Sequence, residues 1–129
     1  MLQPPLTIVI KLKTTRDDAR EIEQHFFPYI IAVCKMKTRQ SHTAQEKMNT
    51  RTVTCIAQQV KTKYEKKLNS KANSFTIRFT DAEACTFYQL LLNFPVSDRR
   101  PAMVVLRQRI VNYLFEELNL GNYIAIVRV

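Results

Sequence analysis

Glycine is almost missing from this chain: Gly121 is the single one among 129 residues. No loop can therefore present the closely spaced glycines that let backbone N–H groups close around a phosphate. A P-loop, a GxGxxG turn and a GxSxG nucleophile elbow are all absent, which excludes the common nucleotide-dependent and serine-hydrolase chemistries and leaves no expected cofactor. Cysteine is scarce and odd in number: Cys34, Cys55 and Cys85 are widely spaced with no CxxC pair. A secreted disulfide scaffold does not fit that pattern, so free thiols in a reducing, cytoplasmic setting are expected. Long apolar runs are missing too. The longest stretches, such as Phe26 to Cys34 and Tyr123 to Val127, fall far below a membrane span, so no membrane partner is expected. Residues 1–5, Met-Leu-Gln-Pro-Pro, lack a basic stretch followed by an apolar one and read as a short extension without an export signal.

Acids are the last shortage. Eleven Asp and Glu face 20 Lys and Arg, a net charge of +9 that favours polyanionic partners as a class. What is present describes a folded domain: 46% hydrophobic residues with 24% charged ones support a buried core and exclude a disordered chain. At 129 residues the chain is read as one domain, 1–129.

The pattern of apolar residues gives the organisation. Leu6 to Leu12 is rich in β-branched residues and alternates at its end, as a strand does. Thr15 then stands as a helix N-cap ahead of Asp17 and Asp18, whose acids answer the positive helix end. That helix should run to about Phe27. Pro28 makes the following apolar run, to Met36, either a kinked continuation or a separate segment. The polar residues 38–43 read as a mobile loop. From about Gln45 to Leu68, Ile56, Val60, Tyr64 and Leu68 recur every four residues, the buried stripe of a long helix. Phe75 to Phe79 alternates strictly as a second strand, and Thr80-Asp81-Ala82-Glu83 is a capping box opening a helix to about Asn93. That helix is apolar over most of its circumference and is expected at the centre of the fold. Pro95 ends it. Ser97 or Asp98 should cap a last helix, buried through Met103, Leu106, Ile110, Leu114 and Leu118, with Gly121 as its C-cap and Tyr123 to Val129 as a terminal strand. The order β-α-α-β-α-α-β predicts an α+β or α/β domain of two layers, about four helices packed on a small sheet of about three strands.

The charge is regional. Lys35 to Lys71 holds ten cations against Glu46 and Glu65, a net +8, while the remaining residues nearly balance. Lys63, Lys66 and Lys67 turn away from the apolar stripe and Lys47 and Arg51 lie four apart, so one basic solvent face is expected, with Thr54, Gln58, Gln59 and Thr62 as short donors among the cations. Such a face suits phosphates: the candidate nucleic-acid-binding residues are Lys35, Lys37, Arg39, Lys47, Arg51, Lys63, Lys66, Lys67 and Lys71. Lysine outnumbers arginine there, which favours diffuse phosphate attraction over base reading. The aromatic residues do not interleave with these cations, so a stacking platform for single strands is not supported. A secondary cluster, Arg99, Arg100 and Arg107 with Arg109, flanks the last helix and could clamp a phosphate or a carboxylate, although a plain surface turn with i,i+4-type pairs is the favoured reading.

Chemistry has weaker candidates. Cys55 and Cys85 read as small hydrophobes in apolar helical surroundings, and Cys34 is the one thiol beside cations, Lys35 and Lys37. Zinc at His25, Cys34 and His42 would lack a fourth ligand and the paired spacing of a structural site, so no metal is expected. The carboxylate groups Asp17/Asp18/Glu21 and Glu116/Glu117 show no convergence on one cleft. The expectation is a non-enzymatic accessory protein that binds nucleic acid through phosphates. The alternative is a structural or assembly protein, as of a virus particle or mobile element, that meets an acidic protein surface or self-associates as a homo-oligomer through the terminal strand or a helix face.

Overall fold

The computed structural model describes residues 9–95 and 100–118. Its first element, β1 (Ile10–Thr15), alternates buried Ile10 and Leu12 with exposed Lys11 and Lys13. It runs to Thr15, three residues past the expected end, because its ladder partner is equally long. That partner is β2 (Ser74–Phe79), antiparallel, in a register from Ile10 opposite Phe79 to Thr15 opposite Ser74. Ile77 and Phe79 of β2 join Ile10 and Leu12 on the buried face.

Thr15 ends the strand and caps α1 (Arg16–Glu21), accepting from the Asp18 amide at 3.2 Å. Pro28 cannot donate, and an unbroken α-helix would press its ring against the preceding turn. The chain solves this with a π-helical turn, Ile22–Phe26, in which the Phe27 N–H reaches back to the Ile22 carbonyl. Pro28 then falls in the first turn of α2 (Phe27–Gln40), where a missing N–H is harmless. The run after Pro28 is thus a continuation.

α2 takes in residues 38–40, which corrects the expected loop 38–43: Ser41, His42 and Thr43 alone connect it to α3 (Ala44–Leu68). The Thr38 hydroxyl donates to the Cys34 carbonyl and the Ser41 hydroxyl to that of Lys37, so the polar side chains finish the helix rather than break it. A three-residue connection makes α2 and α3 an antiparallel hairpin. Phe27 meets Tyr64 at its base, with ring centroids 5.4 Å apart, and Cys34 faces Thr54 further along.

α4 (Asp81–Leu92) starts at the complete capping box of Thr80 and Glu83. It buries Ala84, Phe87 and Leu91, but Leu92 is 44% exposed and Cys85 faces outward. It is a surface helix with one buried side, not the all-round buried helix expected from its composition. α5 (Pro101–Glu117) buries Met103, Leu106, Ile110 and Leu114 as expected, adds Val111, and leaves Leu118 half-buried beyond it. The fold is mostly helical around a small antiparallel sheet, with β1 and β2 the two strands among the described residues. The expected third strand at 123–129, the Gly121 cap, the start of the first strand, the extension 1–5 and the Ser97/Asp98 cap lie outside those residues.

The core centres on Phe26, Phe27, Tyr64, Phe79 and Phe87, whose rings pack edge-on, tilted or, for Phe27 with Phe87 and Tyr64 with Phe79, face to face, at centroid distances of 5.1 to 6.4 Å. These rings join α2, α3, α4, β2 and the π-helical turn, and burying each contributes about 2–3 kcal/mol. The Tyr64 hydroxyl has no hydrogen-bond partner among the described residues, and its burial, with the Asp18 charge, holds the phenol protonated.

Candidate functional site

Burial along the hairpin is uneven. Cys34 is the last buried residue of α2, and Ala57 is the first of α3. Beyond them most side chains are exposed, with Thr38 on α2 and Thr50, Val53, Thr54 and Ile56 on α3 half-buried and Val53 packed against the edge of the core. At 1.5 Å per residue, α2 runs on about 9 Å past Cys34, and α3 begins about 20 Å before Ala57. It is held by its own caps: Thr43 Oγ1 accepts from the Glu46 amide at 3.1 Å, and the Glu46 carboxylate accepts from the His42 amide at 3.0 Å.

Five cations occupy this tip, Lys35, Lys37 and Arg39 on α2 with Lys47 and Arg51 on α3, against one acid, Glu46. All five are exposed, and among the described residues none of them forms a salt bridge. The antiparallel pairing sets Lys37 level with Arg51, so residues that are far apart in sequence share one end of the molecule.

The remaining candidates part company with them. Lys66 lies about 22 Å along α3 from Arg51, and the surface between them carries uncharged Cys55, Gln58 and Gln59. The continuous basic face expected on α3 is therefore two groups, because helical rotation carries Lys63 about 120° round from Arg51. Lys63 is half-buried and already engaged: its ammonium donates to Glu83 at 2.6 Å and to the Arg78 carbonyl at 2.7 Å, and lies 6.0 Å from the Phe79 ring centre. Thr54 and Thr62, expected as donors to phosphate, instead donate to carbonyls one turn back on α3 at 2.8 and 2.9 Å. Lys66, Lys67 and Lys71 remain exposed at the far end.

Glu83 is 4% exposed and accepts from both Lys63 and the Thr80 amide. Burial pushes its carboxyl up, but these donors and the lysine charge outweigh that and hold it below its ordinary range. The Lys63–Glu83 pair ties α3 to the start of α4.

The arginine cluster also dissolves. Arg107 Nε donates to the Leu91 carbonyl at 2.7 Å, closing the end of α4, while Arg109 pairs with Asp18 at 3.2 Å and Arg100 with Glu21 at 3.9 Å. Arg99 lies outside the described residues. Arg16, which the sequence pattern does not single out, has a related role: its guanidinium donates to the carbonyls of Leu68 at 2.8 Å, Ala72 at 3.0 Å and Ser70, fixing the turn after α3.

A further basic group lies on the sheet, away from the expected helix face. Lys11 and Arg78 stand directly opposite each other on the exposed face of the sheet, beside Lys13. Like charges in that position repel. The alternation of Ile10 and Leu12 with Lys11 and Lys13 is its sequence signal, once the strand is extended to Thr15.

The chemical candidates stay separate. His25 pairs with Glu21 at 3.7 Å, whereas His42 sits at the hairpin tip, about 25 Å away along the helix. Cys34 is buried, which pushes its thiol up against the opposing effects of Thr54 and Lys37. Cys55 and Cys85 are exposed, not enclosed in apolar surroundings as their neighbours in sequence imply. Among the described residues no three His, Cys, Asp or Glu side chains gather to hold a metal, and no helix is long and apolar enough to cross a membrane. Comparison with protein-family models, with curated proteins and with solved structures finds no match to this chain.

Proposed function

We propose that this protein is a non-enzymatic accessory component, working in a reducing intracellular setting, that binds nucleic acid without sequence preference through the tip of the α2–α3 hairpin. One observation carries the reading: five exposed cations without a salt-bridge partner among the described residues are gathered on a tip that stands clear of the core. A lysine or arginine already paired to a carboxylate gains little from a phosphate. One held only by water gains the counterion release that drives polyanion binding. Helices buried at their base also hold the cations at fixed spacing, so the ordering cost of binding falls on the side chains alone.

The test is fluorescence anisotropy of labelled nucleic acid at several salt concentrations. Wild type is compared with Lys37→Glu/Arg51→Glu at the tip, Lys66→Glu/Lys67→Glu at the far end of α3, and Lys11→Glu/Arg78→Glu on the sheet. The tip variant should lose at least about tenfold in affinity, and the other two distinctly less. Binding that is missing at low salt, or that survives in the tip variant, would overturn the proposal and turn the search to an acidic protein partner.

A further inference from the structure

Resting on that reading, we infer that the form of nucleic acid the hairpin takes is a duplex, gripped across its phosphate ridges and not inside a groove. The first argument is steric and follows from the pairing of α2 with α3 as a hairpin. Two packed helices lie 8–10 Å apart and each is 10–12 Å across, so the tip is about 20 Å wide. The major groove of B-DNA is about 12 Å wide and takes one helix. The hairpin cannot enter it end-on, and its cations, spread over both helices, meet the backbones that border the groove. At 3.4 Å per base pair, a tip of this width covers about six pairs.

The second observation is the chemistry of the tip. Between Tyr29 and Tyr64 the chain has no Phe, Tyr or Trp. A single strand is held by a basic groove together with stacking of its bases on such rings, the stacking worth about 1–3 kcal/mol per base, and the tip has no ring to provide it. A duplex offers what five cations can use, two backbones with one charge per about 1.7 Å of axis.

The full-length protein is titrated with a short DNA duplex, the matching RNA duplex and the separated strands of each. Expected is at least about a tenfold preference for one or both duplexes over every single strand. The slope of log affinity against log salt should be no steeper than about −4.5, since five cations meet at most five phosphates. The Arg51→Ala variant should flatten that slope by about 1. The two duplexes tell B-form from A-form backbones, and a preference for either supports the inference. Single strands bound as well as or better than duplexes would overturn the duplex form while leaving the hairpin as a nucleic-acid site. A steeper slope would overturn the confinement of contacts to the tip, and no binding to any probe would overturn the underlying reading as well.

Discussion

Lys63 and Arg51 belong to the same helix and carry the same charge, yet they belong to different parts of the molecule. Lys63 lies over the core, where the base of α3 meets β2 and α4, and its ammonium is bound by Glu83 and the Arg78 carbonyl. Arg51 lies on the tip, beyond the last buried residue, and has no salt-bridge partner among the described residues. Arg16, Arg107 and Arg109 resemble Lys63: each donates to a carbonyl or carboxylate that the fold brings to it. A net charge counts cations; what a partner meets is the subset that folding leaves without an anion. Among the described residues its largest group stands at the end of one hairpin, with smaller groups at the far end of α3 and on the sheet.

The contrast is broken most severely by removing a partner at the core. Glu83→Ala deletes half of the capping box and leaves a half-buried ammonium without its carboxylate, at a cost of about 2–3 kcal/mol. In a chain of this size the melting temperature should fall by about 8–10 °C, as read by circular dichroism. The pH dependence follows from the sign of the shift. Because the folded carboxyl is held below its ordinary value of 4.5, its stabilisation is complete above that pH and is lost as pH falls through the folded value. The deficit of Glu83→Ala should therefore be largest near neutrality and shrink in acid. A deficit independent of pH would mean that the loss is one of packing.

Arg107→Ala comes next. It removes the 2.7 Å bond to the Leu91 carbonyl and with it the closure of α4, for about 1–2 kcal/mol. The comparison requires this loss to appear in thermal unfolding while affinity for nucleic acid changes less than twofold. A large loss of affinity in a folded Arg107→Ala protein would return this arginine to the binding surface and erase the distinction drawn above.

These cases show what is legible in a chain of amino acids. Local periodicity carried most of the helices: Val60 and Tyr64 of α3, and Met103, Leu106, Ile110 and Leu114 of α5, are buried where their spacing places them. The caps at Thr15 and Thr80 are local chemistry and were readable for the same reason. What was not legible is contact between distant segments. Nothing near Lys63 announces Glu83, 20 residues on, nor does Arg107 announce the carbonyl of Leu91, 16 residues back. The polar residues 38–40 misled because Thr38 bonds its hydroxyl back to the helix, a satisfaction visible only in three dimensions. Cys55 and Cys85 misled in the opposite sense, since apolar neighbours in sequence need not surround a residue in space. The basic character of region 35–71 is legible in sequence, but its division into a free tip and a bound base depends on where burial begins along the hairpin.

The smallest expected effect is the one that isolates the tip. Lys37→Ala/Arg51→Ala removes two exposed cations, neither of which bonds to the fold through its side chain among the described residues, so stability should change by no more than about 0.5 kcal/mol. A slight rise is favoured, because Lys35, Lys37, Arg39, Lys47 and Arg51 repel one another with Glu46 as the one acid among them. The same double substitution at the base, Lys63→Ala/Arg107→Ala, should cost several times more. Unfolding midpoints in urea for the two variants compare the regions directly, and added salt sharpens the test. Screening the repulsion at the tip should stabilise wild type by more than it stabilises Lys37→Ala/Arg51→Ala. If salt acts equally on both proteins, the tip cations are not mutually strained, and their concentration at one end has no electrostatic cost for a polyanion to relieve.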